Sequence, residues 1–377
     1  MEKKIEITEY FEELEVKEEY EGYDGYFCNV SEAITIVILG TLCGLQNVKK
    51  IHQWADNEAV KTFLEAHFSI NHIPCYYWLL SLIQMIKVES LNKCLTNWSA
   101  TMIPEDKSDL TISFDGKTIC STSQFKSYDK PLHIVSAHVA QLGITFGSLA
   151  TEEKSNEIPA VRELIKILDI AGCMVVADAL NCQKETADAI IEAGADYLLS
   201  VKDNQKTMKE DIEEYVQDDV LRKDMDTDQT IEKNRGRLEV RTAYVLTNIE
   251  WLDWKDDWRN LESIGAIHTK FTTKEGTTEN WHYYIISREL TAQELLKHAR
   301  LEWTVETMHW LLDVHYLEDK CRIEDKDGQK ILNGIRKIAL NSIKQFKEKT
   351  SSKRPMSNIM FDCLLDNQVI LKVLQSL

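Results

Sequence analysis

The order of strand-like and helix-like segments between residues 108 and 205 constrains the fold more than any other feature of this 377-residue chain. Strand-like segments are rich in β-branched residues, and helix-like segments repeat apolar residues every three or four positions. The segments are three strands at 110–116, 133–140 and 144–150, a helix at 156–170, a strand at 173–178, a helix at 182–194 and a strand at 196–202. The order β-β-β-α-β-α-β predicts an α/β fold, a mixed sheet with helices on its faces.

The regions on either side of this core differ from it in composition. Apolar residues at helical spacing before the core predict a small all-helical domain, and a polar region with strand-like pieces after it predicts an insertion. The expected organisation is an acidic arm at 1–25, a helical domain at 26–104, the first part of the core at 108–205, a strand-rich insertion at 206–290, core helices at 291–350 and a C-terminal tail at 351–377.

A carboxylate ends two of the predicted core strands. Asp115 follows the apolar part of the first strand, and Asp178 follows the fully apolar run 173–177. In a sheet of this connectivity the two strands are neighbours, and ligands of open α/β sheets collect at such strand ends. Two carboxylates so close repel each other unless a cation lies between them. The pair therefore predicts a site for a divalent metal ion.

A third oxygen ligand is available on the predicted long helix 291–316. Its acidic and imidazole side chains recur at spacings of four, three and four, so they share one face: Glu302, Glu306, His309 and Asp313. We expect Trp303 and Trp310 to pack this helix on the sheet and to aim Glu306 at the two aspartates. Oxygen-rich ligation favours Mg²⁺ or Mn²⁺, and two such ions support in-line phosphoryl transfer. Spacing alone leaves open a nuclease-type or a phosphatase-type enzyme.

The charge of the chain is strongly negative but uneven. The formal net charge is −18, whereas residues 330–354 carry eight basic residues and one acid. This basic segment is either a DNA-binding face, with Lys344 and Lys347 as contacts, or a solvated helix exterior. The sequence shows no signal peptide or membrane span, and nine cysteines without a C-x-x-C pair fit a reduced compartment. We therefore expect a cytoplasmic protein; association with the nucleoid when on DNA is an expectation only of the family resemblance described next.

Several stretches resemble a known protein family. They are "FDGKTI", "HIVSAHVAQLGITFG", "EKSNEIPAVRELIKILDIAGCMVVADALNCQKETADAIIEAGADYLLSVKDNQ", "RGRLEVR" and "ARLEWTVETMHWLLDVHYLED". Together they resemble the H-repeat-associated (ISAs-type) insertion-sequence transposases, which are DDE enzymes with an RNase H-like core. The helical N-terminal part resembles the domain that precedes the core in that family.

The resemblance implies an enzyme that cuts DNA at the inverted-repeat ends of its element and joins those ends to target DNA. It places the catalytic and metal-ligating triad on Asp115, Asp178 and Glu306, with two Mg²⁺ or Mn²⁺ ions. His309 and Asp313 would support the metal site. A homodimer on DNA and no membrane contact are expected by analogy.

The resemblance also implies DNA contacts from polar and basic residues of the matching stretches. These are Lys117, Lys154, Asn156, Lys202, Asn204, Gln205, Arg237 and Arg241. The wider superfamily has a DNA-binding arginine at the position of Glu302, and we expect the nearby Arg300 to replace it. Two other functions stay open: a catalytically silent DNA-binding relative, and a phosphatase of small phosphoesters. The long insertion and the basic segment disfavour the phosphatase, because a small substrate needs neither.

Overall fold

The structure is a computed structural model, and it describes residues 6–21, 29–126, 129–151, 157–234 and 236–376. Thirteen α-helices and nine β-strands lie in these ranges. The helices are α1 (Val30–Leu42), α2 (Val48–Ala55), α3 (Glu58–Phe68), α4 (Tyr76–Met85), α5 (Val88–Ala100), α6 (Glu157–Ile167), α7 (Lys184–Glu192), α8 (Lys206–Gln217), α9 (Ala292–Glu302), α10 (Thr304–Tyr316), α11 (Lys326–Lys349), α12 (Met356–Leu365) and α13 (Asn367–Gln375).

All nine strands form one mixed sheet. They are β1 (Thr111–Thr118), β2 (His133–Val139), β3 (Ile144–Thr151), β4 (Met174–Ala177), β5 (Asp196–Val201), β6 (Asp226–Asn234), β7 (Arg237–Leu246), β8 (Ser263–Thr272) and β9 (Thr277–Ile286). The spatial order is β3-β2-β1-β4-β5-β9-β8-β7-β6. The first five strands have the RNase H-like order and directions, with β1, β4 and β5 parallel to one another. The predicted fold class is confirmed.

The strands of the predicted insertion extend the core sheet. Strand β9 pairs antiparallel with β5, and β8, β7 and β6 follow it outwards. The strand-like pieces predicted in the insertion correspond to β7, β8 and β9, whereas 226–234, with Ile231 as its one large apolar residue, shows no strand pattern. Strand β6 is polar because it pairs on one side only, at the edge of the sheet, where few apolar residues are needed.

Strand β4 is buried on both faces, as its apolar sequence predicts. Val175 and Ala177 join the hydrophobic cluster of one face, together with α6, α7 and α8. Met174 and Val176 join the cluster of the other face, which α9 covers. Helix α9 therefore lies on the face of the sheet opposite to α6 and α7.

The helical N-terminal region does not form a core of its own. Its apolar residues belong to one hydrophobic cluster with those of α10 to α13. Helix α11 contacts α1, α4 and α5 as well as β3, so it lies between the helical region and the sheet. The residues predicted as a C-terminal tail complete this shared core as α12 and α13. No helix in the described ranges has both the length and the apolar character needed to cross a bilayer.

Candidate active site

Asp115, within β1, and Asp178, directly after β4, lie side by side on neighbouring strands. Strands β1 and β4 are parallel, and Phe114 is paired with Ala177 in their register. Each aspartate is the next residue along its strand, so the topology brings together two residues that are 63 positions apart in sequence. Side chains alternate along a strand, so Asp115 and the buried Phe114 point to opposite faces of the sheet. Asp115 is on the face that α9 covers.

The loop after β4 is fixed by local hydrogen bonds around Asp178. Asp178 caps the short 3-10 helix Ala179–Asn181: its Oδ1 accepts from the Asn181 backbone N at 3.3 Å and from Asn181 Nδ2 at 3.1 Å. From the end of β5, Asn204 Nδ2 donates to the Ala179 carbonyl at 2.7 Å and Gln205 Nε2 to the Cys182 carbonyl at 3.0 Å. These two amides hold the Asp178 loop in place, and their predicted DNA contacts stay predictions.

Helix α10 brings further polar groups to the same strand ends. His309 is buried, and its Nε2 lies 3.4 Å from Asp115 Oδ2. Glu306 precedes His309 by three residues, so the two lie on neighbouring turns of the helix. Glu306 is exposed and Asp115 is half-buried. The predicted polar face of the helix is therefore turned toward the end of β1.

Glu302, the last residue of α9, completes a group of four carboxylates. The pKa of Glu302 is raised to about 7, first by burial and then by the charges of Asp178, Glu306 and Asp115, whereas Lys202 opposes the shift. All four acids and the exposed Lys202 are thus close enough to interact. The sequence placed Glu302 on the polar helix face but assigned it no role. Its four-residue spacing from Glu306 was the available signal.

The donor chemistry of the group fits a hard divalent cation. Four carboxylates repel one another there, and His309 Nδ1 and Nε2 are buried without a partner in hydrogen-bond geometry. Within the described ranges, no three His, Cys, Asp or Glu side chains already surround one common point at ligating distances. The carboxylates would therefore have to converge further to ligate an ion.

The predicted packing role of the two tryptophans is wrong. Trp303 and Trp310 are 61% and 58% exposed. The predicted single helix breaks at Trp303 into α9 and α10, and the two helices pack differently. Leu295 and Ala299 attach α9 to the sheet, and Met308 and Leu312 of α10 enter the helical core. These residues, and not the indoles, orient the acidic face.

Lys117 is engaged within the protein. Its partly buried ammonium group contacts Asp313, lies 3.1 Å from Glu318 Oε2 and 3.9 Å from Asp319 Oδ1. Asp313 is thus a partner of Lys117, and among the described residues it forms no hydrogen bond with Asp115 or Asp178. The network links β1 to the end of α10, which accounts for both residues structurally. A phosphate contact of Lys117 would require this network to open.

Three predicted DNA-binding arginines contact acids near the insertion. Arg300 forms a bidentate pair with Glu232 of β6, with Nη2 at 2.7 Å from Oε2. Arg241 contacts the buried Glu239. Arg237 lies 3.6 Å from Glu239 and its guanidinium is 5.0 Å from the centre of the Phe271 ring. Lys154 and Asn156 fall outside the described residues.

The basic segment does not form one face. It lies largely on α11, whose middle is buried, and Arg336 and Lys337 are buried there. Lys337 donates to Ser136 Oγ at 3.0 Å, and Arg336 Nη1 is 3.8 Å from the buried Glu318. For this part of the segment, both predictions are therefore wrong: it forms neither a continuous basic face nor a solvated helix exterior.

Lys344 and Lys347 lie near the end of α11. Burial and the charge of Lys347 lower the pKa of Lys344. Lys347 Nζ donates to the Arg354 carbonyl at 2.6 Å. Both side chains are half-buried, and their DNA contacts stay predictions.

An RNase H-like sheet with one aspartate on its first strand, another directly after its fourth strand and an acidic helix beside them is typical of the DDE class of proteins. The family model "Transposase DDE domain" matches residues 106–342, and a model described as DDE_Tnp_1-associated matches 28–99. The chain therefore belongs to the DDE transposase family, among the H-repeat-associated members.

Two relatives from Escherichia coli match this chain over most of its length. The Escherichia coli "H repeat-associated putative transposase YhhI" is 30% identical over 356 residues, which is 88% of this chain and 91% of that protein. The Escherichia coli "Putative transposase YncI" is 33% identical over 267 residues, 69% of this chain and 68% of that protein. A piggyBac transposase synaptic complex with hairpin DNA superposes with a TM-score of 0.46 at 11% identity, over 98% of this chain and 80% of that one.

Proposed function

We propose that this transposase cleaves DNA at the inverted-repeat ends of an insertion sequence and joins those ends to target DNA. In this proposal Asp115, Asp178 and Glu306 hold Mg²⁺ or Mn²⁺, with two ions in the working site. The protein acts as a homodimer, because two ends must be held together. Family membership supports the chemistry, and the adjacency of Asp115 and Asp178 on β1 and after β4 supports the choice of residues.

The observation that carries the proposal is the adjacency of Asp115 and Asp178. Phe114 pairs with Ala177, so the residues that follow them, Asp115 and Asp178, are neighbours. His309 lies 3.4 Å from Asp115, and its helix carries Glu306 one turn earlier. A group of like charges at a strand-end crevice is unfavourable unless cations or protons neutralise it. A phosphodiester with divalent ions supplies suitable partners for these acids.

The residues of the chain have distinct tasks in this proposal. Bound divalent ions would stabilise charge on the attacking and leaving oxygens of the phosphate. His309 orients Asp115, and the Asn181, Asn204 and Gln205 contacts keep the Asp178 loop in place. Lys202, exposed beside the acids, adds a positive charge that attracts the DNA backbone.

The test is cleavage of labelled DNA that carries the inverted repeats flanking the gene. Purified protein is incubated with this DNA and Mn²⁺, and Asp115→Asn, Asp178→Asn and Glu306→Gln are compared with the unaltered protein. Asp256→Asn, an exposed acid in the β7–β8 connection, is the matched control. We expect nicking to be lost in the three site variants and kept in the control. Equal nicking by all variants would exclude the proposed site, and binding without nicking by the unaltered protein would favour a silent DNA-binding relative.

A further inference from the structure

The face of the sheet that carries Asp115 is polar where helices α10 and α11 cover it. The antiparallel register of β1 and β2 pairs Asp115 with Ser136 and Ser113 with His138. Residues directly opposite each other on neighbouring strands point to the same face. Ser113, Ser136 and His138 are almost fully buried, whereas the apolar Val135 belongs to the cluster on the other face. The helices therefore meet this part of the sheet through polar groups.

Lys337 of α11 enters this polar layer with its charged end. Its side chain is fully buried, and Nζ donates to Ser136 Oγ at 3.0 Å. Because Ser136 is paired with Asp115, the Cβ atoms of these two residues are about 5 Å apart. The ammonium group therefore contacts the residue that neighbours Asp115 across the strand pair. The Asp115 carboxylate itself lies 3.4 Å from His309 Nε2, so α10 and α11 both reach its surroundings.

A buried ammonium group at this place is costly for the fold. Burial lowers the pKa of Lys337, the carboxylate of Glu318 opposes this shift, and the charge of Lys117 adds to it. Glu318 also lies 3.1 Å from Lys117 Nζ and accepts from Asn333 Nδ2 at 2.7 Å, so Lys337 shares its compensating charge with other groups. An apolar side chain of similar length would fill the same space without this cost. Ionisable groups in such unfavourable surroundings cluster at functional sites.

We propose that Lys337 is a positioning residue for Asp115 and acts through Ser136. This inference rests on the proposed function, because it assigns a support to one of the metal-ligand candidates. A hydroxyl group that accepts from an ammonium group keeps its own proton free to donate. The Asp115 carboxylate is the neighbouring acceptor on the same face of the strand pair. When the carboxylates converge on an ion, Ser136 Oγ donates to Asp115, and the ammonium group at the start of this chain of hydrogen bonds strengthens the bond.

A second contact of α11 with the sheet provides a comparison. Asn341, one turn after Lys337, is also fully buried. Its Oδ1 accepts from the Thr145 backbone N at 2.9 Å, and its Nδ2 donates to the Thr145 carbonyl at 2.8 Å. Thr145 lies on β3, which β2 separates from β1. Loss of a purely structural contact should therefore have the same effect at Asn341 as at Lys337, whereas loss of positioning should appear only at Lys337 and Ser136.

The test measures Mn²⁺ binding by the full chain without DNA. The electron paramagnetic resonance signal of free Mn²⁺ gives the dissociation constant, and binding at the site is the part that Asp115→Asn loses. The variants are Lys337→Met, Ser136→Ala and the double variant, and Asn341→Ala is the matched control. Thermal unfolding checks that each variant is folded. If Lys337→Met does not fold, Ser136→Ala, which removes a single hydroxyl group, decides the question.

We expect Lys337→Met and Ser136→Ala each to weaken Mn²⁺ binding about tenfold or more, as loss of a support for a ligating carboxylate does. The double variant should bind Mn²⁺ no more weakly than Lys337→Met, because both changes break the same chain of hydrogen bonds. Asn341→Ala should unfold at a lower temperature and bind Mn²⁺ like the unaltered protein.

Unchanged Mn²⁺ binding by the folded Ser136→Ala and Lys337→Met variants would overturn the positioning role and leave the cleavage proposal intact. An equal loss of Mn²⁺ affinity in Asn341→Ala would also overturn it, because it would show a general loosening of α11. Additive effects of the two changes, or an effect of Lys337→Met without one of Ser136→Ala, would overturn the route through Ser136. If Asp115→Asn binds Mn²⁺ as the unaltered protein does, the metal site of the proposed function is excluded and this inference fails with it.

Discussion

The Nε2 atom of His309 lies 3.4 Å from Oδ2 of Asp115, across the contact between α10 and β1. The two residues are almost two hundred positions apart, and the imidazole is buried while the carboxylate is half-buried. An imidazole that contacts a ligating carboxylate fixes its orientation, and loss of such support commonly reduces metal affinity or activity 10- to 100-fold.

The first prediction concerns this contact. His309→Ala should lower the rate of DNA nicking by about 10- to 100-fold and raise the Mn²⁺ concentration needed for half-maximal rate. The measurement is the nicking rate as a function of Mn²⁺ concentration. His315→Ala, on the same helix but with its ring against Trp310 and not against the acids, should behave like the unaltered protein. An unchanged metal dependence of His309→Ala would remove the positioning role.

Glu302 should make the stability of the metal-free protein depend on pH. Its pKa is raised from 4.5 to about 7 in the folded state, because of burial first and of the Asp178 charge next. The folded protein therefore holds this proton more tightly than the unfolded chain. The resulting stabilisation is complete below pH about 4.5 and is lost as the pH rises through about 7, with a total on the order of 3 kcal/mol.

The check for Glu302 is urea unfolding of the unaltered protein and of Glu302→Gln in metal-free buffer at pH 5 and pH 8. The unaltered protein should lose more free energy of unfolding between these pH values than the variant. Adding Mn²⁺ at pH 8 should restore stability to the unaltered protein, since an ion that binds the folded state stabilises it by mass action. Parallel pH curves for the two proteins would contradict this expectation.

Gly116 should not tolerate a side chain. A Cβ at this position would lie 2.3 Å from His133 Nε2 and 2.5 Å from Glu157 Oε2. His133 and Glu157 are buried and paired at 3.1 Å, so neither moves aside easily. We expect Gly116→Ala to lower the free energy of unfolding by about 1–3 kcal/mol.

The control for Gly116 is Gly334→Ala in α11. A Cβ there meets one Leu91 methyl group at 3.0 Å, and alanine favours a helix more than glycine does. Chemical denaturation of both variants gives the comparison. A loss at Gly334 as large as the loss at Gly116 would show that the His133–Glu157 pair is not the cause.

We expect substitution of Lys117 to lower the stability of the protein more than its affinity for DNA. Its ammonium group lies 3.1 Å from the fully buried Glu318, and its other partners are Asp313 and Asp319. Removing one member of a buried ion network leaves charge uncompensated, so Lys117→Met should cost about 3 kcal/mol of unfolding free energy. Lys202→Met, at an exposed site, should change stability by less than about 0.5 kcal/mol. A stable Lys117→Met protein that has lost only DNA affinity would reverse this assignment.

The sequence predicted the metal-ligand candidates through topology. Strand order and the apolar run ending at Asp178 were enough to make β1 and β4 neighbours, because such connections follow few rules. The register that pairs Phe114 with Ala177 makes Asp115 and Asp178 neighbours, although β1 continues past Asp115 to Thr118. The roles of these residues in metal binding and catalysis remain predictions.

Other features depend on contacts that no local pattern contains. Helix α10 has two faces that each carry large apolar residues, so periodicity did not show that Met308 and Leu312, and not Trp310, are buried. Lys337 looked like surface charge, yet it lies against Ser136, which is two hundred residues earlier. Strand β6 was not predicted because it lies at the edge of the sheet, where a strand can be polar and lack the apolar alternation of a buried strand.

The shared helical core has a consequence for how the chain is made. Helices α1 to α5 bury their apolar residues against α10 to α13, and α11 lies between them and β3. During synthesis on a ribosome the first hundred residues therefore emerge without their packing partners, which follow only when the final fifth of the chain has been translated. A polypeptide interrupted near residue 320 should expose the apolar side of α1 and α5 to solvent, aggregate, and be removed by proteases before it reaches any DNA.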